Sequence, residues 1–192
     1  MLWGLLGVAL LVGVAIAVAA SRGTAGEEAA SGQAGVAPRA AGGAPPALAR
    51  NLEDADRIVG EGEGGLDERL AALEGHPVVV NQWASWCTAC RFEFPFFREA
   101  VAKHGDRVAF VGLDAQDERA AAESFLEEVP VGFPSIFDPD ASVAASLGGG
   151  QSWPTTIFLD EEGEPVHVKI GAYATEELLE QDIQRFALGQ GA

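Results

Sequence analysis

The sequence predicts an α/β domain with a mixed β-sheet and helices on both of its faces. Two β-branched, apolar runs indicate buried strands, and a helical pattern lies between them. Two further runs near the end of the chain are close enough to form a hairpin, and a helical segment follows them. Strands that alternate with helices favour parallel pairing through right-handed crossovers, and the hairpin would add an antiparallel edge.

The elements are assigned in chain order from these patterns. The first helix is predicted over 66–73, where apolar residues recur at helical spacing before Gly75 and Pro77. Pro95 is expected to kink the next helix or to mark its early turn. The later predictions are a buried strand at 78–83, a helix starting within or just after Cys87–Cys90, a strand at 107–113 ended by Asp114, a helix at 118–128, an extended piece at 133–137, a short helix at 141–147, a hairpin of 155–159 and 165–170, and a last helix from Thr175.

The N-terminal region predicts a targeting segment and a tether. Residues 2–20 carry no charge and are long enough to cross a bilayer core, which takes roughly 20 residues. An uncleaved anchor is favoured over a signal peptide, although Ala17-Val18-Ala19 resembles a processing site. With either, we expect the domain to be exported. Residues 21–50 are rich in Ala, Gly, Ser and Pro and predict a flexible linker, so the domain is expected to span 51–192.

The charge balance restricts the class of partner. The formal net charge is −17, and residues 51–192 account for essentially all of it. Nucleic acid and anionic lipid surfaces require basic patches, so neither is expected as a surface partner. The charge does not identify a substrate, and a solvated acidic surface that aids solubility is its favoured explanation.

The only two cysteines, Cys87 and Cys90, form the candidate site. A disulfide across so short a loop constrains the unfolded chain little, so a stabilising role explains it poorly. At the start of a helix, free N–H groups would stabilise a thiolate on Cys87, and Cys90 could then resolve a mixed disulfide. A zinc site would need further ligands, but the three histidines are scattered, and a Cys–His protease would have its nucleophile trapped by the second Cys. We therefore expect no metal and no cofactor besides a redox-active Cys87–Cys90 disulfide.

The segment around these cysteines resembles a known family. Residues 78–95, VVVNQWASWCTACRFEFP, are similar to the active-site segment of membrane-tethered ResA/TlpA-like thioredoxin-fold proteins. The similarity continues through Phe133-Pro134, through 138–140 and through 153–160 (WPTTIFLD), and it covers about residues 65–188. The resemblance implies a thioredoxin fold and thiol–disulfide oxidoreductase activity.

The resemblance also implies roles for four further residues. Pro154 matches the family's cis-proline, which lies opposite the Cys pair and lets the backbone before it, at Trp153, pair with a bound peptide. Glu93 matches an acidic residue that could tune thiol pKa values or relay a proton to the buried Cys90, unless it is a solvated helix glutamate. Trp86 is expected to cover the disulfide as an apolar lid, or else to belong to the core.

Three positions depart from the family pattern. Asn81 stands where thioredoxins carry a buried Asp, so any proton acceptor must be Glu93 or water. The spacer Thr88-Ala89 lacks the Pro that many relatives have before the second Cys, which prevents a reduction potential from being transferred. Gln82 replaces an apolar strand residue, and its amide needs a partner if it is buried.

The leading hypothesis is a membrane-tethered reductase outside the cytoplasm. Its substrates would be disulfides in exported proteins, such as apocytochrome c in cytochrome c maturation, and a membrane thiol carrier would supply electrons. The first alternative is a disulfide-forming oxidant of the same fold. A copper chaperone is the second, since thiolates suit Cu(I), although no neighbouring Met or His completes such a site.

Overall fold

The computed structural model describes residues 43–190 and contains one six-stranded sheet with the strand order β1-β4-β3-β2-β5-β6. Strands β1 to β4 are mutually parallel where they pair, whereas β5 runs antiparallel to both β2 and β6. The predicted mixed sheet, its closing hairpin and the thioredoxin fold are thereby confirmed. The elements are α1 (Pro46–Glu53), β1 (Ile58–Glu61), α2 (Gly62–Ala72), β2 (Val78–Trp83), α3 (Thr88–His104), β3 (Ala109–Ala115), α4 (Arg119–Glu128), β4 (Ser135–Asp138), α5 (Ser142–Ser146), β5 (Thr155–Leu159), β6 (Pro165–Ile170) and α6 (Glu176–Asp182), which continues into a π-helical turn over Ile183–Ala187.

The central strands are buried on both faces. Along β2, Val79 and Trp83 pack into an apolar cluster with α3, α4 and α6, while Val78 and Val80 pack into a second cluster with α1, α2 and α5. All six residues of β2 and all seven of β3 are buried. A strand covered on both faces needs no alternation of apolar and polar residues, which explains the continuous apolar run in the sequence.

The flexible linker is predicted to extend too far, because the folded domain begins before residue 51. Residues 46–50, assigned to the flexible linker, form the first turns of α1. Pro46 at the first helical position suits a helix start because its ring presets φ and its missing N–H is not needed there. Leu48 is 1% exposed, and Asn51 donates from Nδ2 to the Phe110 carbonyl at 3.0 Å. The composition of residues 21–50 gave no sign that one leucine of this segment is buried and attaches the helix to the sheet.

Two other differences concern strands. The edge strand β1 was not predicted, because only Ile58 and Val59 precede Gly60 and so short a run gives no periodic signal. Strand β3 extends to Ala115, so Asp114 lies inside the strand and is buried rather than ending it.

Pro95 is exposed within α3, which continues to His104.

The anchor predicted at residues 1–20 and most of the linker at 21–50 lie outside the described residues. Between residues 43 and 190, no helix combines the length and the hydropathy needed to cross a membrane.

Candidate active site

The two cysteines lie where the buried strand β2 leads into α3. Cys87 is the N-cap residue of α3, and its Sγ accepts a hydrogen bond from the Cys90 N–H at 3.0 Å. The two sulfurs form a disulfide, with the Cα atoms 5.3 Å apart. Cys87 is 5% exposed and Cys90 is fully buried, so Cys87 is the sulfur of the pair that a second protein can reach.

The start of α3 favours a thiolate on Cys87 once the disulfide is reduced. The first N–H groups of a helix lack carbonyl partners within the helix, and they carry partial positive charge. The Cys90 N–H already points at Cys87 Sγ in the oxidised protein. Because a thiolate accepts hydrogen bonds more strongly than a thiol, this contact lowers the free energy of the nucleophilic form.

The Trp153–Pro154 peptide bond is cis, as the resemblance implied. The rings of Trp153 and Trp86 lie 5.4 Å apart between centroids, which places the cis-proline loop beside the loop that carries Cys87. Trp86 is 55% exposed, so it is not a core residue. The Pro154 carbonyl accepts a hydrogen bond from the Gly171 N–H at 2.9 Å, which connects the cis-proline loop to the end of β6.

Glu93 is fully buried, which excludes a solvated helix glutamate. It lies one turn after Cys90 on α3, and residues three apart share a helix face. Its Oε1 accepts from Asn81 Nδ2 at 2.9 Å, and its Oε2 accepts from the Tyr173 N–H at 2.9 Å. Burial raises the pKa of Glu93 to about 7, against the opposing effect of these two hydrogen bonds and of the Lys169 charge.

The structure accounts for two of the departures from the family pattern. Asn81 is buried next to Glu93, and its Nδ2 also lies 3.4 Å from Thr156 Oγ1, while no group between residues 43 and 190 donates to its Oδ1. If the Asn81 amide is rotated by half a turn, its oxygen can accept the O–H of a protonated Glu93. Gln82 Oε1 accepts from the Gly150 N–H at 2.7 Å, and Gln82 Nε2 has no partner among the described residues.

Sequence reasoning missed the side chains that complete the surroundings of Glu93. Tyr173 packs edge-on against Phe97, at 6.3 Å between ring centroids, and its hydroxyl donates to Asp182 at 2.8 Å. Lys169 donates to the carbonyls of Gly171 and Ala172 and lies 4.6 Å from the centre of the Tyr173 ring. No local motif marks these positions, which reach the site through the pairing of β5 with β6.

Among residues 43–190, no group of three or more Cys, His, Asp or Glu side chains is placed to hold a metal ion. The sulfur atoms of Cys87 and Cys90 are bonded to each other in a disulfide.

A family model and individual proteins that are similar to this chain indicate the same family. The Redoxin family matches residues 60–183. The thiol-disulfide oxidoreductase ResA of Halalkalibacterium halodurans is 30% identical over 135 residues, which cover 70% of this chain and 76% of that protein. The ResA of Bacillus thuringiensis is 30% identical over 115 residues, which cover 59% of this chain and 66% of that protein, just under two thirds of its length.

Solved structures of similar proteins share the fold. A putative thiol:disulfide interchange protein DsbE from Chlorobium tepidum is 29% identical with a TM-score of 0.56, and the match covers 62% of this chain and 84% of that one. A secreted thiol-disulfide isomerase from Corynebacterium glutamicum is 31% identical with a TM-score of 0.53, and the match covers 63% of this chain and 74% of that one.

Proposed function

We propose that this chain, which belongs to the redoxin family and is a thiol–disulfide oxidoreductase of the ResA type, reduces disulfide bonds in exported proteins outside the cytoplasm. The observation that carries the proposal is the placement of Cys87 at the start of α3, with the buried Cys90 and Glu93 behind it. This arrangement separates an accessible nucleophile from a protected resolving thiol.

The first step is attack by the Cys87 thiolate on one sulfur of a substrate disulfide. The Cys87–substrate bond forms as the substrate S–S bond breaks, and the departing substrate thiolate takes up a proton. The exposed Trp86 and the adjacent Trp153 offer an apolar surface for the substrate chain, and the backbone at Trp153–Pro154 offers polar groups for pairing with it.

The second step is resolution by Cys90, whose thiol must lose its proton inside the protein. Glu93 is suited to accept that proton because its pKa of about 7 leaves a substantial carboxylate fraction at neutral pH. The Cys90 thiolate then attacks Cys87 Sγ, the Cys87–Cys90 disulfide forms, and the second substrate thiolate leaves. Two electrons have passed to the substrate, and a membrane thiol carrier would return them to the chain.

Export and membrane attachment belong to this proposal. They are supported by the uncharged run at residues 2–20 and by the similarity to a secreted thiol-disulfide isomerase. Apocytochrome c is one candidate among exported substrates with accessible disulfides.

Trapping of the mixed disulfide tests the proposal. Cys90→Ala removes the resolving thiol, so exported substrates should accumulate on Cys87 in the native host. The matched control is the double variant Cys87→Ala/Cys90→Ala, which should capture nothing. Capture of exported proteins that are released by dithiothreitol is the expected result, and equal recovery from both variants would refute the proposal.

A further inference from the structure

Three consecutive residues, the last of β3 and the two that follow it, hold the loops on both sides of the disulfide. The carbonyl of Ala115 accepts from Trp153 Nε1 at 3.1 Å, and the carbonyl of Gln116 accepts from Trp86 Nε1 at 2.9 Å. Asp117 completes the set through its contacts with Ser85, two residues before Cys87.

Asp117 holds the backbone of the loop that leads to Cys87. Its Oδ2 accepts from the Ser85 N–H, and its Oδ1 accepts from Ser85 Oγ at 2.9 Å and from the Glu118 N–H at 2.8 Å. Three donors therefore point at one carboxyl group, which fixes its position relative to Ser85. Ser85 itself is half-buried, so this contact is only partly open to solvent.

Asp114, three residues before Asp117, is a buried carboxyl to which none of the described residues donates a hydrogen bond. It lies within β3 and is fully buried. The Asp117 carboxyl, three residues further along the chain, is near enough for its charge to act on Asp114. Two ionised carboxylates placed this near each other would repel, so the arrangement is favourable when one of them carries a proton.

The surrounding charges identify Asp114 as the group that carries the proton. Burial, and after it the Asp117 charge, raise the pKa of Asp114 to about 8. On β4, Asp138 adds further negative charge while accepting from two backbone N–H groups of α5. Arg119 on α4 acts in the opposite direction, but it also forms an ion pair with Glu61. On β2, the residue paired with Asp114 is Trp83, which does not ionise.

We propose that Asp117 is a positioning residue for the Cys87 loop and that a proton on Asp114 keeps Asp117 in place, so that loss of this proton loosens the loop and slows exchange at Cys87. This inference rests on the proposed function, because exchange at Cys87 is the activity that it modulates. The proton leaves to solvent, and no covalent bond changes. At alkaline pH two adjacent carboxylates repel, and Asp117 separates from Ser85.

The Ser85 amide proton gives a direct test in the oxidised full-length chain, where neither cysteine titrates. In wild-type protein, its NMR chemical shift should change with a single inflection near pH 8, the pKa of Asp114. Asp114→Asn should abolish the inflection, since an asparagine can donate to Asp117 at every pH. Glu93→Gln is the matched control and should retain it. An inflection that persists in Asp114→Asn would overturn the inference, as would its absence from wild-type protein.

A second arm measures reactivity in the reduced protein with a small disulfide reagent. The rate for Asp114→Asn divided by the wild-type rate should be close to one at pH 6.5 and should rise severalfold by pH 9.5. Dividing the two rates removes the part of the pH dependence that is common to both proteins. A constant ratio would contradict the inference. If the Ser85 inflection behaves as expected but the chain reduces no protein disulfide, the proposed reductase function fails and the positioning role stands.

Discussion

Burial of Glu93 should make the stability of the oxidised protein fall with pH in a defined window, and Glu93→Gln should remove that fall. The pKa of Glu93 is raised from 4.5 to about 7 by burial. Below pH 4.5 the group is protonated in both the folded and the unfolded chain. Between 4.5 and 7 the unfolded chain loses the proton that the folded protein retains, so the free energy of unfolding decreases as pH rises.

The size of this effect follows from the displacement of the pKa. One pH unit corresponds to about 1.4 kcal/mol, so a pKa moved from 4.5 to about 7 predicts a loss of roughly 3 kcal/mol between pH 4 and pH 8. Urea unfolding of the wild-type and Glu93→Gln proteins, both with the disulfide intact, measures the difference directly. Subtracting one from the other removes the titration of all groups that the two proteins share.

The matched control is Glu99→Gln, which alters an exposed glutamate on the same helix. Its unfolding free energy should follow that of the wild type at every pH. If the difference between wild type and Glu93→Gln is the same at pH 4 and pH 8, folding does not raise the pKa of Glu93, and its role as an acceptor of the Cys90 proton is refuted.

Three further predictions concern the boundary of the domain, the helix α6 and the substrate surface. Leu48→Ala should lower the free energy of unfolding by about 2–5 kcal/mol in urea titrations, because α1 contributes a buried leucine to the core; a change below about 0.5 kcal/mol would show that α1 does not belong to the folded domain. Burial would raise the pKa of Glu180, but hydrogen bonds from His104, Gln184 and Lys103 outweigh it and lower the pKa to about 2. The stability that this carboxylate contributes should therefore be lost as pH falls from 4.5 towards 2. Glu180→Gln should reduce that loss in thermal unfolding scans, and an unchanged acid profile would contradict the assignment. Trp86→Ala should reduce kcat/KM on a protein disulfide by roughly tenfold, which corresponds to about 1–2 kcal/mol for an aromatic contact. The rate with a small disulfide reagent should be nearly unchanged. Equal losses on both substrates would show that Trp86 acts on Cys87 rather than on the substrate.

The sequence predicted the elements whose signals are local. Strand β2, the Cys-containing turn and the start of α3 are contiguous in residues 78–95, so one apolar run followed by a helix start was enough to place Cys87. Strands β5 and β6 were recognised because a short turn joins two β-branched runs. The cis bond before Pro154 came from the resemblance and could not have been derived from the residues alone.

Features that depend on contacts between distant segments were not predictable. Asp117 reaches Ser85 across 32 residues, and the Tyr173 N–H reaches Glu93 across 80. The sequence predicts that Asp114 ends a strand, because an acidic residue after an apolar run normally faces solvent, whereas Asp114 lies within β3. Only the pairing of β3 with β2 and β4 shows that this carboxyl is buried.

The equilibrium between the full-length protein and a glutathione redox buffer tests the reductase assignment most directly. Reductases of thioredoxin fold have strongly negative potentials, with thioredoxin near −270 mV, whereas the oxidant DsbA lies near −120 mV. We predict a potential below about −200 mV for the Cys87–Cys90 pair. A value above about −150 mV would contradict the account and identify the chain as a donor of disulfides.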